Sequence, residues 1–185
     1  MQKIKILLLI TVALCFLNSC GGVRIDMLGY NEEKDINAKF EKIIIAINEN
    51  DMDAIKAFFS KNTLDEDDSL DENIEKLFTF IQGTIDSWEK RVGSSTSDSK
   101  DRGHRKREFS VSYDVNTGEQ QYYFSLDYCS IDTKQPENVG LYLLLVVKNE
   151  DEEKIWDVDN KIIYDKTDDG KTVKIPRIGV YLPIE

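Results

Sequence analysis

A chain of 185 residues, 41% hydrophobic and 32% charged, is long enough for one domain around a single core and too short for two sizeable ones. Its 24 basic and 35 acidic residues leave a formal charge of −11. That balance argues against nucleic acid and against direct docking on anionic lipid, because both demand positive potential.

The chain opens with Lys3 and Lys5 ahead of an apolar run from Ile4 to Leu17. The run suits the h-region of a signal peptide and is short of the roughly 20 residues that span a bilayer. Leu17-Asn18-Ser19-Cys20 resembles a bacterial lipobox, with a branched apolar residue three before the cysteine and a small residue directly before it. The resemblance implies lipid on the Cys20 thiol and cleavage between Ser19 and Cys20. Residues 1–19 are then a lipoprotein signal peptide and 20–34 a lipidated tether beginning with the flexible Gly21-Gly22. Cys20 becomes the link to the outer face of the cell membrane, and the processed chain carries a charge of −13, since Lys3 and Lys5 leave with the signal. Cys129 then has no disulfide partner and is expected as a small buried apolar group.

Residues 35–185 are expected to form a single α+β domain. Ile36, Phe40, Ile43, Ile44 and Ile47 recur at helical spacing over Asp35 to Glu49. Asn50 or Asp51 is placed to cap a second helix with Met52, Ile55, Phe58 and Phe59 on its apolar side. Ser69 and Glu72 have capping-box spacing ahead of a third helix bearing Ile74, Leu77, Phe78, Ile81 and Ile85.

The period then changes to two. Residues 86–95 are expected as a short strand and 94–107 as a polar loop. Phe109, Val111, Tyr113 and Val115 alternate on one strand, Asn116 to Glu119 turn, and Tyr122, Phe124, Leu126 and Tyr128 alternate on the next. Leu141 to Val147 is a continuous apolar run, as in a strand covered on both faces. Lys154 to Asp159, around Trp156, is expected to pair with it, and Asp168 to Lys171 to form a turn near the C-terminus.

Several features carry a family resemblance: the residues around Cys20, Asn48-Glu49-Asn50-Asp51 ahead of Ile55 to Ser60, and Leu77 to Gly83. Tyr113 to Tyr128, Val139-Gly140-Leu141 and Gly179-Val180-Tyr181-Leu182-Pro183 complete it. Helices followed by a curved antiparallel sheet resemble the cone fold of nuclear transport factor two and ketosteroid isomerase. More narrowly, the chain is similar to an uncharacterised family of low-GC bacterial lipoproteins of that fold class. The resemblance implies three helices packed on a strongly curved antiparallel sheet, with a ligand pocket at the mouth of the cone. It implies no catalytic residue.

The residues themselves offer few chemical constellations. The acidic run Asp65 to Glu72 fails the calcium-loop pattern, because neither register places glycine sixth and glutamate twelfth. His104, the lone histidine, lies in a local basic cluster from Gly103 to Arg107 and reads as a solvated strand end. No metal or cofactor is implied.

Tyr123, Ser125 and Asp127 alternate on one strand face, with Tyr113 and Tyr142 on neighbouring strands, and a pocket is expected to gather Tyr113, Tyr123, Asp127 and Tyr142. A ketosteroid-isomerase-like enzyme would use Asp127 as base and a tyrosine as oxyanion donor. If Tyr122, Phe124, Leu126 and Tyr128 face the core, Asp127 faces solvent and that chemistry loses its base. The expected function is therefore a membrane-anchored module that binds a small molecule or a protein, with enzymatic turnover as the alternative. The sequence leaves the oligomeric state open.

Overall fold

The computed structural model describes residues 27–155 and 178–182. The signal segment, Cys20 and its tether, Trp156 and the Asp168 to Lys171 turn lie outside the described residues. The chain divides into two compact units, residues 1–37 and 38–185. Of the first, residues 27–37 are described, and they are helical.

Helix α1, Met27–Glu49, begins ahead of the predicted Asp35. Phe40, Ile43, Ile44 and Ile47 form its buried stripe, as the spacing predicts. Asn50 ends it at φ 53°. The Asn50 N–H donates to the Ile47 carbonyl at 3.1 Å and the Asp51 N–H to the Ala46 carbonyl at 2.9 Å, a Schellman closure. Asp51, one of the two predicted caps, accepts the Ala54 N–H at 2.9 Å and starts helix α2, Met52–Lys56.

A further helix absent from the sequence reading follows: α3, Lys61–Glu66, capped by the Ser60 hydroxyl accepting the Thr63 N–H. Helix α4 is Leu70–Phe80. The expected capping box at its start does not form, because Ser69 has helical backbone angles and its side chain makes no cap bond. Asp67 takes over locally, accepting the Ser69 N–H at 3.0 Å and the Ser69 hydroxyl at 2.6 Å. Ile81 and Ile85 are buried, but outside the helix. The helix stops where the Tyr122 hydroxyl donates to the Phe80 carbonyl at 3.2 Å and accepts the Gln82 N–H at 2.8 Å. A strand side chain thus satisfies backbone groups that the helix end leaves open.

Among the described residues six strands form one sheet: β1 Ser87–Lys90, β2 Ser95–Asp101, β3 His104–Asn116, β4 Gln121–Asp132, β5 Gly140–Lys148 and β6 Gly179–Tyr181. Their order is β1-β3-β4-β5-β6, with β2 also on β3. The domain is α+β, as expected. Two corrections concern the strands. The polar stretch 94–107 is not a loop: Ser95 to Asp101 pairs with His104 to Ser110 across a turn at Arg102 and Gly103, whose φ values are 46° and 87°. Two successive positive φ values match the right-handed twist of a hairpin. Strand β2 is exposed along its whole length, so it carries no apolar alternation to betray it.

Of the predicted partner strand of β5, Lys154 to Asp159, only Lys154 and Ile155 are among the described residues, and they are not strand. Asn149–Ile155 is a 3₁₀ segment, and β5 pairs in parallel with β6. In the run Leu141 to Val147 every residue but Tyr142 is buried, close to what a strand covered on both faces requires.

On the helix-covered face, Phe40 stacks on Tyr113 with ring centroids 3.7 Å apart, and Trp88 and Phe124 meet Phe40 edge-on. Asn48 ties α1 to the sheet: its amide donates to the Ile85 carbonyl and accepts the Ile85 N–H, both at 2.9 Å. The segment between α2 and α3 docks on the start of β5, where the Leu141 N–H donates to the Phe58 carbonyl and the Ser60 N–H to the Leu141 carbonyl, each at 2.8 Å.

That docking requires a glycine at position 140. Its φ is +139°, and a Cβ there would lie 2.6 Å from the Ser60 backbone nitrogen. Gly140→Ala is expected to cost about 2–4 kcal/mol through clash and strain together. Urea unfolding measures it, and a loss below about 0.5 kcal/mol, the usual range of a neutral surface change, would contradict the docking.

Candidate functional site

The alternation in β3 and β4 sends two sets of side chains to opposite faces. Val111, Tyr113 and Val115 pair with Leu126, Phe124 and Tyr122 beneath the helices. Ser110, Ser112 and Asp114 pair with Asp127, Ser125 and Tyr123 on the other face. On that second face Tyr123 packs with Leu145 and Val147, and Tyr181 joins them.

Strand β3 is long enough that one edge serves two partners in tandem, β2 along His104 to Ser110 and β1 along Tyr113 to Asn116. Between them the chain leaves the sheet at Arg91 to Ser94. The Arg91 N–H still reaches the Ser112 carbonyl at 2.9 Å, and Gly93 turns with φ 112°. This excursion walls a cleft of about 320 Å³, lined by Arg91 to Ser94, Ser110, Ser112, Tyr123, Ser125 and Glu152.

Arg91 is the cleft's organising side chain. Its Nε and Nη2 each lie 2.7 Å from Asp114 Oδ1, its Nη1 donates to Glu152 at 2.5 Å, and its Nη2 donates to Asn149 at 3.1 Å. The guanidinium lies over the Tyr123 ring, 4.7 Å from its centroid. The bond to Glu152, with a lesser contribution from Asp114, holds the Arg91 pKa above its ordinary value. The Tyr123 hydroxyl meets the Ser112 hydroxyl at 2.8 Å. One side chain thus joins β3, the 3₁₀ segment and the central tyrosine.

The predicted pocket residues do not gather in one place. Tyr113 is fully buried against Phe40 on the helix side, and the sheet separates it from Tyr123. Asp127 shares the Tyr123 face, half-buried opposite Ser110, about 13 Å along the strand at the usual rise. Tyr142 sits at an irregularity: Asp127 pairs with Leu143 and Tyr128 with Leu141, leaving Tyr142 between the pairs. His104 is exposed at the β2–β3 turn. Cys129 is 1% exposed, and burial pushes its thiol pKa up.

The acidic run is engaged locally. Lys61 pairs with Asp65, Lys56 with Asp71 at 2.6 Å and Lys76 with Glu72 at 2.7 Å. Among the described residues, no three histidine, cysteine or acidic side chains gather closely enough to hold a metal ion. Among them too, no helix is long and apolar enough to cross a membrane.

Sequence reasoning picked out Tyr123 and Ser125 on one strand face but missed Arg91 and Glu152. Alternation could have supplied Ser110 and Ser112, which occupy the off-beats of Phe109, Val111 and Tyr113. Arg91 and Glu152 carry no local signal, since their pairing spans 61 positions.

The arrangement defines an α+β domain with a hydroxyl-lined cleft on the sheet face opposite its helices. Residues 42–149, more than half of the chain, match the domain of unknown function DUF5104, and the chain belongs to that family. No curated protein matches the chain.

Arg91→Met keeps the length of the stem while removing the fork that bridges Asp114 and Glu152. It is expected to destabilise the domain by about 1–2 kcal/mol, since charged hydrogen bonds are lost and the carboxylates remain. Guanidinium unfolding would also reflect ionic screening, so urea is the denaturant of choice; unchanged stability would remove Arg91 from its organising role.

Proposed function

We propose that this protein is a membrane-tethered lipoprotein whose domain binds a small molecule without transforming it, in the cleft beside Arg91, Tyr123 and Ser125. The observation that carries the reading is the cleft itself. At about 320 Å³ it reaches the lower end of small-molecule sites, and its polar groups converge from β3, β4 and two connecting segments. The sequence of helices before sheet supports the finer reading of a cone related to nuclear transport factor two.

The anchor rests on the sequence: Lys3, Lys5, the apolar run and Leu17 to Cys20. It puts the domain on the extracytoplasmic face of the membrane. Acyl chains contribute about 0.8 kcal/mol per buried methylene, so two or more hold the protein durably. Catalysis of the ketosteroid-isomerase type is the weaker reading, because Tyr113 lies on the opposite face of the sheet from Asp127, and Tyr123, on the same face, stands about 13 Å along the strand from it. A protein partner in place of a small molecule would use the exposed Val92 at the rim of the cleft.

Two outcomes are expected. In cells fed a labelled fatty acid, the parent chain takes up label and Cys20→Ser does not; equal labelling would remove the anchor. In a fragment screen followed by amide NMR, hits perturb Ser110 to Ser112 and Tyr123 to Ser125. Hits confined to residues around Phe40 and Tyr113 would move the site to the helix side.

A further inference from the structure

We propose that the ligand of this cleft is a neutral, hydroxyl-rich small molecule of the sugar or polyol class, received by the Ser125 hydroxyl. The proposal rests on reading the cleft as a ligand site. Ser125 lines the cleft and is 6% exposed. Among the described residues no protein group hydrogen-bonds its hydroxyl, and the same holds for Ser94 and Ser110. The hydroxyl oxygen is reachable from the cleft, so a group that enters the cleft can meet it. Each serine hydroxyl offers one donor and two acceptor sites. The group that answers both at once, three times over within one small cleft, is another hydroxyl.

Charge points the same way. An anion would need free cationic donors, yet Arg91 directs its guanidinium to Asp114, Glu152 and Asn149. With two carboxylates on one guanidinium, in a chain of formal charge −11, the cleft has no positive potential to offer. A cation would seek the Tyr123 ring face or Glu152, and Arg91 already covers the first and pairs with the second. Neutral hydrogen-bonding chemistry is what this lining leaves to a ligand, and Val92 adds an apolar rim for the C–H face of a ring.

The test titrates the full chain by calorimetry with glucose and myo-inositol as neutral probes, and with inorganic phosphate and choline as charged ones. Amide NMR locates any binding. At least one neutral probe is expected to bind saturably and to shift Ser110, Ser112 and Ser125, while phosphate and choline do not. Ser125→Ala should weaken that binding about tenfold, the loss of one good hydrogen bond. It should leave the melting temperature equal or higher, because the hydroxyl removed has no protein partner; a merely structural serine would lower it. Ser110→Ala serves as a second variant with the same expected direction. Binding of phosphate or choline in the cleft, with the neutral probes inert, would overturn the ligand class and keep the cleft as a binding site. Silence from all four probes, together with a fragment screen that leaves the cleft resonances unmoved, would overturn both.

Discussion

Phe40 lies flat on Tyr113, 3.7 Å between ring centroids, and that stack fixes which face of the sheet the helices cover. Strand side chains alternate, so placing Tyr113 beneath α1 places Val111, Val115, Phe124 and Leu126 there as well. It equally commits Ser112, Tyr123 and Ser125 to the opposite face. A register slip of one residue would bury the serines under the helices and expose the aromatic set, an exchange no packed core tolerates. The cleft is therefore a consequence of the core.

The second face is unusual in what it buries. Leu145 and Val147 are fully covered there, yet the neighbouring β4 positions hold Tyr123 and Ser125, and β3 contributes Ser110 and Ser112. A purely structural cover would favour apolar residues at these off-beats, as β5 shows. The polar set is instead organised around Arg91, whose ion pairs reach β3 and the 3₁₀ segment and whose guanidinium covers Tyr123. The guanidinium is partly buried, and its charge is matched by these partners. Once paired, it leaves a cleft that is polar without being strongly charged.

Much of the fold was legible in the sequence because it was written in periodicity. The α1 stripe, the alternating strands β3 and β4 and the solid apolar run of β5 all follow from spacing alone. What escaped did so for physical reasons. Strand β2 is wet along its length, so its pairing depends on the Arg102-Gly103 turn and not on hydrophobic alternation. Helix α3 is six residues long, too short for a periodic signal. The Ser69 cap gives way to Asp67, whose carboxylate accepts both the Ser69 N–H and the Ser69 hydroxyl. For the site, β4 alternation correctly joined Tyr123, Ser125 and Asp127 on one face. It could not place Tyr113 relative to them, because that needs the strand register, nor find Arg91 and Glu152, whose meeting is set by tertiary structure.

The claim that the functional face is the one turned away from the helices is tested most directly by crystals of the full chain soaked with a cocktail of small polar compounds. The account predicts ligand density against the Ser125 and Ser112 hydroxyls, bordered by Arg91 and Tyr123, with the Phe40–Tyr113 stack undisturbed. Density inserted between α1 and the sheet, parting Phe40 from Tyr113, would contradict it.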